Sequence, residues 1–484
     1  MTAPRAGHAL RPERAGHALR PERAGARAGT WRGGVLRRAT GIVFSAVLAV
    51  ATVLPQQATA QRSLSLIRDA EIERTVARLS DPIMRAAGLP SSSVPIYLIN
   101  DPTLNAAVVG GRTMLLFSGL IATLETPEEL QGVIAHEVGH VTGGHLARRQ
   151  VAVDNLRGPA LLGLALGIAA AAAGAGAGGI AAGFGAQNAL GRTLLRYNRA
   201  EEAAADQAAI TYMRRAGIDP SGLRRVISRF RGQEVLSFGN LDPYTQSHPL
   251  STDRMQLIDR AAEEAAKRTW PATPELDYWH ARARAKLQGF LDNPRGVLER
   301  SRNVPGATLP AAEEIALYRR AVALYRLPDT EGALAAIDRL IAMRPADPYY
   351  HELKGQVLFE TARPREAVAA YRRADQLADE PLIKAGLGRA LLALDTPETS
   401  REALAVLEAA RRDDPGDAAS LRDLAIAYDR AGEQGLATLA TAERFALSGR
   451  RADAILHAER ASALLDRGSP AWLRAQDILA MKRP

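Results

Sequence analysis

The 484-residue chain contains no cysteine. Disulfides are therefore excluded, and so is any metal site built on thiolates. Excess positive charge is also missing once the first residues are set aside. The formal net charge is +9, but residues 1–60 hold nine Arg and two Glu, so the remainder carries 53 basic and 51 acidic residues, a net +2. With no basic stripe and no aromatics interleaved among basic residues, a nucleic-acid partner is not expected. Long apolar runs are scarce too. Ile42–Leu54 is uncharged but short for a membrane span, and residues 160–186 make 27 uncharged positions only by including eight glycines.

What is present begins with a segment that is not fold. Arg5 to Glu13 is repeated as Arg14 to Glu22, low-complexity sequence with no apolar face to bury. After Arg37-Arg38, the run Ile42–Leu54 leads to Ala58-Thr59-Ala60. A positive start, an apolar middle and an A-x-A site predict a secretory signal cut after Ala60, with an uncleaved anchor as the alternative. Roughly 420 residues then remain, enough for two or three domains.

Residues 62–92 are expected to be helical, with Leu66, Ala70, Val76, Leu79 and Ile83 apolar. Ile96–Ile99 and Thr113–Phe117 read as short strands between turn residues. The second either offers its edge to an extended peptide or is an ordinary core strand. The stretch that organises the rest follows. Thr126 can N-cap a helix, Pro127 suits its first position and Glu129 completes a capping box. Leu130, Val133, Ile134 and Val138 give it an apolar face. On that helix His136 and His140 stand one turn apart, so two imidazoles can hold one metal ion, and Glu137 lies where a carboxylate can take a proton from water. A hydrolytic metal site also needs a third protein ligand and an open fourth position.

Beyond His140, Gly143-Gly144 is expected to loosen or end the helix, and His145 reads as an incidental polar residue rather than a ligand. The Gly- and Ala-rich stretch Ala160–Ala186 reads as an apolar loop or hairpin, over the active site or on a membrane surface, in preference to a transmembrane helix. From Thr193 to Gly217 the pattern is helical again, with Ala216 to Pro220 as its stop. This helix carries Glu201, Glu202 and Asp206. Glu202 and Asp206 share a face, so one can ligate metal while the other hydrogen-bonds a ligating imidazole; an acidic solvated face is the bland alternative. His248, followed by Pro249 and Leu250 with Arg254 beyond, is a further candidate in an extended turn.

Residues 275–484 carry an internal period. Ala333, Ile337, Leu340 and Pro345 recur as Ala367, Tyr371 and Ala374, then as Ala403, Leu407, Ala410 and Pro415, with Ala437 opening another unit, at the spacing of tetratricopeptide repeats. Such helix pairs stack into a superhelix whose concave side binds a partner segment. Ala454, Ala458 and Ala461 suggest a capping helix. The domain boundary is expected near Trp270–Pro274, with Gly296 to Ala312 a loose join.

The motif His136-Glu137-Val138-Gly139-His140, the later Arg199 and Glu202-Ala203-Ala204-Ala205-Asp206, the Ala216–Pro220 turn, and His248-Pro249-Leu250 with Arg254 together resemble the gluzincin metallopeptidase family that includes HtpX and the CAAX prenyl proteases. The likeness is nearest to its soluble periplasmic branch, the β-barrel assembly-enhancing proteases, and covers about residues 62–265. Asn105-Ala106 and Gly110-Gly111 are similar to that family as well. The resemblance implies one Zn2+ per chain bound by His136, His140 and Glu202, with Glu137 as general base and Asp206 as the partner of a ligand. Spacing alone does not separate Glu202 from Glu201; the family pattern E-x-x-x-D selects Glu202. His248 is similar to a histidine that can fill the fourth metal position and hold the enzyme latent, and Arg254 to the arginine after it. Ala204 departs from the pattern, since relatives often carry an acid there.

The expected protein is mainly α. A zincin-like metalloprotease domain with a small β-sheet spans 61–270 behind a leader of 1–60, and an all-α tetratricopeptide solenoid spans 275–484. The resemblance implies a periplasmic endopeptidase in quality control of outer-membrane β-barrel proteins. Its substrates would be unfolded or stalled outer-membrane proteins, its repeats would dock on the β-barrel assembly machinery, and Ala160–Ala186 could touch the membrane. The rival reading is a chaperone or adaptor that works through the repeats while the protease site stays mostly silent.

Overall fold

The computed structural model describes residues 65–145, 199–231, 248–302 and 311–481. The leader, the Ala160–Ala186 segment and the start of the Thr193–Gly217 helix lie outside them. Strand β1 (Leu66–Ile67) comes first, then helix α1 (Ala70–Ala86). The expected helix over 62–92 is therefore shorter and preceded by a strand. Asp69 is the reason: its side chain accepts from the Ile72 N–H and caps α1, so the chain before it is extended.

Strands β2 (Ile96–Ile99) and β4 (Thr113–Phe117) form where expected, joined by β3 (Ala106–Val109), which was not foreseen. The sheet order is β1-β2-β4-β3, with β2 and β4 parallel and the outer pairs antiparallel. Thus β4 is an interior strand, and among the described residues the edge strand on that side is β3. Gly110 and Gly111, at φ +57° and +80°, make the tight reversal from β3 to β4 that a residue with a Cβ resists.

A short helix α2 (Ser118–Thr123) leads to α3 (Pro127–Thr142), which packs on α1 and beside β3. Residues 199–215 form α4, followed by α5 (Ser221–Ser228) and α6 (Thr252–Ala265). Leu79 and Ile83 of α1, Met114 and Leu116 of β4, Val133 and Val138 of α3, and Met213 of α4 share one buried core.

Helices α7 (Pro274–Leu291) and α8 (Pro294–Arg302) come next. The join expected to be loose from Gly296 is helical to Arg302, because Val297 is fully buried. Antiparallel pairs then follow: α9 (Ala312–Arg326) with α10 (Thr330–Met343), α11 (Pro348–Glu360) with α12 (Pro364–Leu377), α13 (Pro381–Leu392) with α14 (Pro397–Asp413), and α15 (Ala418–Arg430) with α16 (Gln434–Leu447). The anchors Ala333, Ile337, Leu340, Ala367, Ala374, Ala403 and Leu407 are all buried; Ala437 is only half-buried, and Leu439 and Ala440 fill the core there instead. Helix α17 (Arg451–Leu464) buries Ala454, Ala458 and Ala461, but α18 (Pro470–Ala480) covers it, so the cap is one helix further on.

The described residues form one compact unit. Helix α7 lends Ala283 and Leu287 to the first core while packing on α9. Between them runs a buried ionic network: Arg282 Nε lies 2.7 Å from Glu71 Oε1, and Lys286 Nζ lies 2.8 Å from Asp69 Oδ2 and 3.3 Å from Glu71 Oε2. Tyr318 of α9 donates to Glu71, and Arg282 also pairs with Asp347. Burial pushes the Glu71 carboxyl up, but Arg282 and Lys286 overcome it and hold it below its usual value. Against the repeats, Ala70 packs with Tyr349, Ala374 and Ile383, and Arg74 Nη2 meets Glu380 Oε1 at 2.6 Å. Helix α1 of the same chain thus covers part of the repeat surface, beside a cavity of about 550 Å³ lined by residues such as Ile67, Glu352, Phe359 and Arg389.

Candidate metal centre

Helix α3 starts as its sequence dictates. Thr126 Oγ1 accepts from the Glu129 N–H while the Glu129 carboxylate accepts from the Thr126 N–H, and Pro127 holds the first position. His136, Glu137 and His140 sit in its buried C-terminal half. Helix α4 crosses at Gly139, where a Cβ would lie 2.9 Å from the Ala205 carbonyl oxygen and 3.0 Å from its Cα. That backbone contact brings Glu202 and Asp206 under the two histidines. Ala204 faces outward and is exposed, so its departure from the family pattern does not reach the site.

Among the described residues, His136, His140, Glu202 and His248 are the group able to hold a metal ion, with one ligand atom from each and all four within 4.8 Å of one another. His136 Nε2 lies 3.2 Å from His140 Nε2, 3.2 Å from His248 Nδ1 and 3.3 Å from Glu202 Oε2. His140 Nε2 is 3.4 Å from Glu202 Oε1, and His248 Nδ1 is 3.1 Å from Glu202 Oε2. Tetrahedral ligands about 2.0–2.1 Å from a zinc ion stand roughly 3.3 Å apart, so the donor set fits that ion in both spacing and chemistry.

Each donor is supported. His136 Nδ1 donates to Asp206 Oδ1 at 2.9 Å, which leaves Nε2 as its donor atom. Arg254, fully buried, clamps Asp206 from Nε at 2.6 Å and Nη2 at 2.9 Å, and its Nη1 reaches Glu202 Oε2 at 3.0 Å. The same Nη1 donates to the carbonyl oxygens of His248 and Pro249, fixing the turn that carries the His248 ring. The His248 Nε2 also lies 3.4 Å from the Ala106 carbonyl oxygen on the edge strand β3.

The electrostatics are those of a pocket prepared for a cation. Burial disfavours a charged His136, yet its bonds to Asp206 and Glu202 outweigh this and push it up to about 10. Burial lowers His140. Burial would raise Glu202 and Asp206, but the three histidine rings hold Glu202 well below its usual value, and Arg254 with His136 holds Asp206 below its own. Both carboxylate oxygens of Glu137 are buried and accept no hydrogen bond among the described residues, with His248 Nε2 at 3.3 Å. A buried carboxylate without a hydrogen-bond donor beside such a cluster is costly for stability and suited to proton transfer.

All seven residues singled out from the sequence therefore converge. Two participants were missed. His145, read as incidental, is 3 % exposed and places Nδ1 2.8 Å from His140 Nδ1; the signal was its place directly after a glycine pair that ends the helix. The Ala106 carbonyl was missed because β3, Ala106–Val109, has no apolar alternation of its own.

Residues 67–262 match peptidase family M48. The β-barrel assembly-enhancing protease of Yersinia pestis is 27% identical over 410 residues, covering 84% of this chain and 82% of that protein. The metalloprotease YcaL of Escherichia coli (strain K12) is 30% identical over 186 residues, 37% of this chain and 68% of that one. Since the matched stretch contains every side chain that meets at the cluster, and the likeness runs through most of these relatives, the chain belongs to peptidase family M48.

Proposed function

We propose that this chain is a periplasmic zinc metalloendopeptidase in the quality control and assembly of outer-membrane β-barrel proteins, with a protease domain over 61–270 and a repeat domain over 275–484. The observation that carries the proteolytic reading is the buried set of His136, His140 and Glu202 beside the unbonded Glu137 carboxylate. The substrate class rests on likeness to the β-barrel assembly-enhancing protease over most of both chains. Export rests on the leader, and among the described residues no helix is long and apolar enough to cross a membrane.

A zinc ion at His136, His140 and Glu202 would lower the pKa of a water and polarise the scissile carbonyl. Glu137 takes the proton from the attacking water and returns it to the departing amine. Asp206 keeps His136 presenting Nε2, and Arg254 balances the charge of Asp206 and Glu202. The edge strand β3 offers main-chain groups to an extended peptide once His248 withdraws from the Ala106 carbonyl, which gives register without demanding a sequence.

The His248 ring lies between Glu202 and Glu137, where water and the substrate carbonyl must enter. Four protein donors close the site, and that arrangement supports a latent enzyme whose turn at 248–250 withdraws before cleavage. It also favours the second reading, a chaperone or adaptor that acts through the repeats. Cleavage of casein by wild type, His248→Ala and Glu137→Gln separates the two. The protease reading expects His248→Ala to be fastest and Glu137→Gln inert while still holding zinc. Absence of any Glu137-dependent cleavage in wild type and His248→Ala would leave only the adaptor.

A further inference from the structure

A histidine that ligates through Nε2 must carry its proton on Nδ1, and something must accept that proton and hold the ring plane. For His136 the acceptor is Asp206. For His140, whose Nε2 faces His136 and Glu202, the group at Nδ1 is His145, 2.8 Å away with the rings edge to face at 80°.

The backbone is shaped to allow this. His145 is five residues beyond His140, a spacing at which a continued helix does not bring two side chains together. Helix α3 stops instead: Gly143 caps it and Gly144 turns the chain at φ +61°. At Gly143 a Cβ would lie 2.3 to 2.8 Å from three atoms of the His145 ring. The glycine pair thus both ends the helix and vacates the space that the folded-back ring occupies.

We propose that His145 is a positioning residue for the metal site: its Nδ1 lone pair accepts the Nδ1 proton of His140 and so fixes that ligand's tautomer and ring plane. The inference rests on His140 being a metal ligand. His145 touches neither metal nor substrate; it acts through His140. Asparagine at 145 can put Oδ1 where Nδ1 stands and accept the same proton, whereas alanine cannot.

The test is zinc affinity of the purified full chain, measured by competition with a chromophoric chelator, for wild type, His140→Ala, His145→Ala, His145→Asn and Gly143→Ala. Loss of an orienting partner of this kind weakens metal binding about 10- to 100-fold. His145→Ala and Gly143→Ala should fall in that range, His145→Asn should recover most of the loss, and the metal-free melting temperatures should stay close to wild type. Gly143→Ala crowds the ring without removing either imidazole, so it answers the question if His145→Ala does not fold. If His140→Ala loses zinc but the two variants around His145 bind within twofold of wild type, the positioning role is overturned and the metal site stands. If His140→Ala binds as wild type does, the metal site itself is overturned, and His145 with it.

Discussion

At the scale of single residues, the centre is a balance of buried charges, and Arg254 holds it. Its guanidinium meets Asp206, Glu202 and two carbonyl oxygens with no exposure to water. Removing one partner of a buried ionic set costs about 3–5 kcal/mol, because the others are left uncompensated. Arg254→Leu should therefore lower the stability of metal-free protein by that amount in urea unfolding. Arg254→Lys should recover only part of it, since an ammonium lacks the planar fork. A loss below about 1 kcal/mol for the leucine variant would show that Asp206 and Glu202 do not depend on it. The side chains that converge were legible in the sequence because four-residue spacing on a helix puts side chains on one face: His136 with His140, and Glu202 with Asp206. Glu201 and Glu202 were not separable in that way, and both are in fact buried. Only the family pattern chose between them, and in the fold Glu202 is the one that faces the histidines.

At the scale of elements, the site depends on how closely two helices approach. Gly139 lies between the proposed ligands His136 and His140 and touches the backbone of α4 at Ala205. A methyl group there has no flexible neighbour to displace, so Gly139→Ala should separate the helices and cost about 1–3 kcal/mol. The same shift moves Glu202 off the histidines, so zinc binding should drop with stability. Wild-type affinity and melting temperature in Gly139→Ala would show that α3 and α4 approach without needing the glycine. The capping box of α3 and the repeat period were readable because local sequence specifies both: Thr126 with Glu129 in one case, alanines every 34 or so residues in the other. Strand β3 was not, since Ala106–Val109 has no alternation of its own and exists because Leu116 and Met114 of β4 pair with it. The helix at Pro294–Arg302 escaped notice because its burial comes from packing against the helices on either side of it in the chain, α7 and α9, not from its own pattern.

At the scale of the whole molecule, α7 ties the catalytic half to the repeats, and it carries a titratable probe of that tie. His280 is 1 % exposed with Nε2 unbonded among the described residues, and burial together with Arg284 lowers it from 6.5 to about 4. Unfolding below 6.5 therefore takes up a proton that the folded ring refuses, so this contribution to stability is complete above 6.5 and fades as pH falls towards 4. The fall should approach about 3 kcal/mol, because each tenfold weakening of proton affinity is worth about 1.4 kcal/mol. Denaturant melts of metal-free protein at pH 7.5, 6 and 5 should show about 2 kcal/mol of it by pH 5, and His280→Gln should flatten that part of the profile; parallel profiles would exclude His280 as its source. None of this tie was legible beforehand. Glu71 reads as a first-turn acid of α1, and only the fold sets it against Arg282, Lys286 and Tyr318 from far along the chain.

The Glu71 network bears on anyone who would treat the halves as interchangeable parts. A repeat array expressed from residue 274 onward keeps Arg282 and Lys286 on a surface that was dry, now without the acids Asp69 and Glu71 that neutralised them. Such a fragment presents an aromatic-rimmed scar of Trp279 and Tyr318, where Arg282 keeps only Asp347 and Lys286 has lost Asp69 and Glu71, that never existed in the parent. Ligands it captures in a pull-down will partly report that scar, and a fair bait carries α1 along with it.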